Sequence, residues 1–133
     1  MAAIKDRMVP VRDGDSYAYP VKGAVRIFAR TLVALTATGL AVPAGTVGAV
    51  SIAGYADHHA DNRDGADGAG KVRVKKGVLA FATFAGTAPT SANLNATVYA
   101  VDDETVSLDS SSGTRLAAGK LDGIEDGIFW VRT

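Results

Sequence analysis

Cysteine is absent from the chain, which excludes disulfides, zinc–thiolate sites and thiol nucleophiles together. Aromatic side chains are few, nine from Tyr17 to Trp130, so a large ring-lined ligand pocket is not expected. A surplus of charge is also missing: 14 Lys and Arg meet 14 Asp and Glu, and a zero net charge argues against a general binder of phosphate backbones. No direct nucleic-acid partner is expected. Histidine occurs only as the adjacent pair His58 and His59.

What is present is small and β-branched. Ala, Gly, Thr and Val dominate, with 15 glycines, a composition suited to short strands and tight turns rather than long helices. The 133 residues suit one domain, which at this size buries roughly two thirds of the surface its unfolded chain exposes.

Residues 1–23 are charge-mixed and carry Pro10, Asp13-Gly14-Asp15 and Tyr19-Pro20 without helical or alternating periodicity. They read as an extended arm ahead of a single β domain over 24–133. Residues 31–55 hold no charge and follow Arg26 and Arg30. Their length would allow a membrane span, but Gly39, Pro43, Gly45, Gly48 and four threonines interrupt the run. Two or three strands fit better, over 24–35 and 46–55, with turns near Thr38-Gly39 and Pro43-Ala44-Gly45.

The stretch 57–70 is polar and glycine-rich and reads as an extended loop. Lys71-Val72-Arg73-Val74-Lys75 alternates charge and valine, giving a half-buried strand with the valines inward. Gly77 breaks it before an apolar strand over 78–84. A loop over 86–95 has room for one short helix. Four more strands, over 96–101, 105–108, 115–121 and 127–132, are separated by turns at Asp102-Asp103, 110–113 and Asp122-Gly123. Strands this short suggest an antiparallel barrel or sandwich.

Several patterns bear on chemistry. GADGAGK over 65–71 has the glycine spacing of a phosphate-binding loop, but Val72 stands where Ser or Thr belongs and a strand follows instead of a helix. Asp57, His58, His59, Asp61, Asp64 and Asp67 could together form a surface metal site or a solvated loop. A calcium loop of the helix–loop–helix type is excluded, because aligning its glycine with Gly65 puts Ala60 first and Lys71 last, where carboxylates belong. No nucleophile-elbow serine is present, and the carboxylates at 102–104 and 125–126 flank turns, so no enzyme and no cofactor are expected. The stripe Lys71, Arg73, Lys75 and Lys76 either discourages edge pairing or docks on an acidic protein surface.

The order of pieces then resembles a known group. Thr46-Val47-Gly48-Ala49-Val50-Ser51-Ile52-Ala53, a polar loop after Asp57, and Val72-x-Val74-x-Lys76-Gly77-Val78-Leu79-Ala80-Phe81 resemble the small capsid decoration, or cement, proteins of tailed bacteriophages, of the lambda type. Residues 95–101, Asp103-Glu104-Thr105-Val106 and 127–132 are similar to the later strands of that family. The 57–70 loop and the charged arm are longer than a minimal member needs.

The resemblance implies a compact β-barrel or β-tulip that trimerises on the outside of the head and locks neighbouring major capsid subunits without catalysis. The arm is then a strand-adding contact. The expected contact residues are Lys5, Arg7, Arg12 and Tyr17 on the arm, with His58, His59, Arg63 and Asp67 on the loop. A small β-barrel binding module using the 57–70 loop for a ligand or metal is the alternative.

Overall fold

The computed structural model describes residues 14–133 together with Ile4, Lys5, Met8 and Pro10. The expected contacts Arg7 and Arg12 lie outside the described residues. The fold is mostly β and largely antiparallel, as composition implied.

Strands β1 (Ser16–Pro20), β3 (Leu32–Thr36), β4 (Ala41–Pro43), β5 (Ala49–Ala56) and β7 (Lys71–Lys75) form a five-stranded sheet in the order β1-β7-β5-β3-β4. Strands β8 (Val78–Phe81), β9 (Phe84–Ala85), β10 (Thr97–Ala100), β11 (Val106–Ser107), β12 (Ala117–Glu125) and β13 (Ile128–Arg132) form a six-stranded sheet in the order β8-β13-β12-β10-β11-β9. Strands β2 (Val25–Ile27) and β6 (Ala60–Asn62) pair as a separate ribbon. The β9–β11 pair and a lone Val21–Ala41 bridge are parallel.

The molecule has three layers because its central sheet is apolar on both faces. Leu32 and Ala34 of β3 point with Val42 toward the six-stranded sheet, where they meet Val98, Ala118, Leu121 and Val131. Val33 points the other way, with Ala41, Ala53, Val72 and Val74, onto Ile27 and Ala60 of the ribbon. A strand covered on both sides has no place for charge, which explains the uncharged run over 31–55. That run folds as β3, β4 and β5, and among the described residues no helix is long and apolar enough to cross a membrane.

Several expected boundaries move. The strand expected over 24–35 is two strands, because Arg30 takes φ 63° and the Thr31 hydroxyl donates to the Phe28 carbonyl at 2.8 Å, closing a turn between β2 and β3. The loop expected over 57–70 contains β6. Asp122-Gly123 is a bulge inside β12, opposite Val131 and Trp130, and the hairpin instead reverses at Asp126-Gly127. Both of those residues have left-handed backbone, φ 50° and 76°, as the mirror-image hairpin turn requires.

The short helix is a single 3-10 turn, Ser91–Asn93. Thr90 caps it, and the Asn93 side chain returns to the Thr90 N–H at 2.9 Å. The arm expected over 1–23 does not run that far: β1 pairs in register with β7, from Ser16 opposite Lys75 to Pro20 opposite Lys71, and Val21 is fully buried.

Candidate functional site

The 57–70 segment and the strands it touches bring together most of the chain's clustered charge. Its centre is Asp57, just past the end of β5. Arg30 approaches its Oδ1 at 3.1 Å, Lys75 the same oxygen at 3.6 Å and Arg73 its Oδ2 at 3.2 Å. The carboxylate is 17% exposed while its three cations are 43–61% exposed, so one covered anion anchors three cations that still face solvent. The hydrogen-bonded Arg30 guanidinium holds the Asp57 carboxyl below its usual range. Partial burial opposes this, and Lys75 and Arg73 add to it.

Aromatic rings border the cluster. The Arg30 guanidinium lies 5.7 Å from the Tyr55 ring centre, Arg26 lies 4.5 Å over Phe28, and the His59 ring stands 5.5 Å from Phe28. His58 Nε2 accepts from the backbone N–H of Arg73 at 3.0 Å, which leaves Nδ1 as the protonated nitrogen donating to the His59 carbonyl at 3.0 Å. His58 therefore extends the β7 ladder with its side chain, and neither of its ring nitrogens is available as a base or a metal ligand.

The rest of the segment is fastened to the β1–β2 connection. Asn62 is buried, and its amide nitrogen donates to the carbonyls of Val21, Lys22 and Ala66 at 2.9–3.1 Å. Asp67 Oδ1 accepts from the Gly23 N–H at 2.8 Å, and Val21 exchanges backbone hydrogen bonds with Gly70 and Gly68. Gly23 and Gly65 permit this closeness, since a Cβ on Gly23 would lie 2.9 Å from the Gly65 carbonyl and one on Gly65 would strike the Asn62 amide oxygen. Arg63 turns back on Asp61 in a two-pronged pair at 2.8 and 2.9 Å, and that guanidinium holds the Asp61 carboxyl well below its usual range.

The expected contact residues thus fall in different places. His58, His59, Arg63 and Asp67 share one clasp, in which His58, Arg63 and Asp67 are committed to partners within the chain. Tyr17 lies on β1, 6.5 Å from Tyr19, with the Lys76 ammonium 5.9 Å from its ring. Lys5 is exposed. Arg30, which sequence reasoning did not select, is tied to Asp57 from 27 positions away, and no local pattern announces such a pair.

Among the described residues, no three His, Asp or Glu side chains come together in a way that could hold a metal. The GADGAGK stretch crosses the clasp and runs into β7, so its N–H groups are not gathered at a helix start. A groove of about 410 Å³ is lined by Ala85, Gly86, Thr87, Leu108, Asp109 and Arg115, and Arg115 is already bonded to the Asp109 carbonyl. Comparison with protein families, with curated proteins and with solved structures returns no match for this chain.

Proposed function

We propose that this chain is a bacteriophage head-decoration protein that binds the outside of the capsid, probes neighbouring major capsid subunits with its N-terminal segment, and bridges them as a homotrimer. The observation that carries the reading is the position of β1. It is an edge strand of the five-stranded sheet, so its start at Ser16 lies at an edge with no second partner strand among the described residues. An extended segment delivered at an edge is suited to adding main-chain hydrogen bonds to a partner. In the sequence before β1, Ile4 and Met8 are 93% and 96% exposed and Lys5 is exposed, offering apolar and cationic contacts.

The mostly-β architecture and the strand pattern that resembles cement proteins support the same role. The alternative, a loop-binding module, loses ground because the polar groups of 57–70 are largely spent on each other and on the β1–β2 connection. On a symmetric shell, modest contacts at several subunits act together, and their combined strength exceeds that of any one.

The test is co-sedimentation of the purified protein with expanded heads assembled without it. Saturation at a fixed copy number per head is the expected result. Absence of association removes the reading, as does unchanged occupancy when Lys5, Arg7 and Arg12 are all replaced by Ala.

A further inference from the structure

The zero net charge of the chain conceals a division between its layers. Over residues 14–76, which supply the five-stranded sheet and the ribbon, eight Lys and Arg meet five Asp and Glu; over 77–133, which supply the six-stranded sheet, three meet seven. The five-stranded sheet and ribbon therefore carry three positive charges in excess and the six-stranded sheet four negative.

Both excesses are concentrated. Arg30, Arg73 and Lys75 share the single carboxylate of Asp57, leaving two charges uncompensated. Lys71 lies on the same face of β7 without a carboxylate partner among the described residues, and Phe28, 47% exposed, lies under Arg26 and beside His59. On the other layer, exposed Glu125 and Asp126 stand at the tip of the β12–β13 hairpin with no cation paired to them among the described residues, next to Ile128 at 38% exposed.

We infer that copies of this chain associate head to tail, the acidic β12–β13 hairpin of one copy seated on the basic stripe around Asp57 of the next. This rests on the decoration reading only in naming the self-contact its trimer needs. Stripe against stripe repels, and so does hairpin against hairpin, so a two-fold contact centred on either patch is disfavoured. Hairpin against stripe attracts, and a contact of that kind repeats from copy to copy and closes into a ring where the rotation allows. Phe28 and Ile128 supply apolar surface beside the charges. Both surfaces rest on hydrogen-bonded strands, so little ordering is needed on contact.

Light scattering on the purified full chain tests this without capsids. The comparison is between about 0.01 M ionic strength, where charges act over about 30 Å, and about 1 M, where they act over about 3 Å. The expected mass is a multiple of 13.6 kDa at low salt, falling toward 13.6 kDa at high salt. Lys71→Glu with Arg73→Glu removes the stripe while Arg30 and Lys75 still hold Asp57. Glu125→Gln with Asp126→Asn removes the hairpin charge and keeps a residue that tolerates the left-handed turn.

Each double variant alone is expected at the single-chain mass. Their mixture is expected at the two-chain mass, because the intact hairpin of one meets the intact stripe of the other. Circular dichroism checks that both are folded, and the milder Lys71→Gln alone should lower the salt concentration at which the oligomer mass falls. A wild type that is monomeric at both salts overturns the inference, as does an oligomer indifferent to both double variants or a folded mixture that does not recover. A monomer that still saturates heads removes this contact and leaves the decoration reading standing; a salt-sensitive ring that ignores heads does the reverse.

Discussion

Asp57 and Asp103 respond to acid in opposite directions. The Asp57 carboxyl is lowered by Arg30, so its contribution to stability is present above the ordinary carboxylate range and is lost as pH falls through the folded-state value. Asp103 is raised, first by burial and then by neighbouring Asp102 and Glu104, so its contribution is present at low pH and lost as pH rises through its folded-state value. In urea titrations the unfolding midpoint of the wild type should drop as pH falls below about 4, with a shallower drop for Asp57→Asn. At neutral pH, Asp103→Asn should unfold at a higher temperature than the wild type, since it removes a charge that burial and two neighbours disfavour. Identical acid profiles for the wild type and Asp57→Asn would show that the three cations do not favour the ionised form.

Among the elements, the 57–70 clasp and the β12–β13 hairpin carry the constraints that substitution should expose. Asn62→Ala strips one donor group from three carbonyls, two of them in the β1–β2 connection, and should cost about 1–3 kcal/mol in a denaturant titration. Protease cleavage within 57–70 should accompany that loss. Gly119→Ala puts a Cβ into the backbone carbonyl of Arg132 on the neighbouring strand and should destabilise by about 1–3 kcal/mol, read the same way.

These elements also mark how far the sequence could be read. Lys71–Lys75 was legible because alternation is a local signal, and the structure buries Val72 and Val74 while leaving Lys71 and Arg73 exposed. The apolar run was legible as strands because Gly and Pro punctuate it. β6 was not, since Ala60-Asp61-Asn62 has no strand propensity of its own and is extended because Val25–Ile27 lies opposite. Asp122-Gly123 looked like a turn by residue type, yet cross-strand pairing absorbed it as a bulge and the next such pair, Asp126-Gly127, turned the chain. The Asp57 cluster was illegible for a different reason: its cations come from positions 30, 73 and 75, and only the packing of β5 beside β7 brings them together.

For the whole molecule, the first described strand begins at Ser16 and is paired along its length with β7. Removing residues 1–15 should leave the melting temperature within a few degrees of the full chain while head occupancy falls. Removing residues 1–21 strips β7 of a full-length partner and takes Val21 from the core, and should lower the melting temperature sharply. Differential scanning calorimetry beside the sedimentation assay separates the two effects. Equal melting temperatures for the two truncations would mean that β1 contributes nothing to the fold.

The pairing of β1 with β7 also sets an order of events during synthesis. Ser16 must wait for Lys75, so the first strand leaves the ribosome about fifty residues before the strand that receives it. Strands β3, β4 and β5 can pair meanwhile, since each lies close in the chain to its neighbour. β1 then docks onto an edge that β7 completes. β1 thus gains its place only after the central sheet exists, and a chain that stalls or misfolds before residue 75 leaves Ser16–Pro20 without its partner strand.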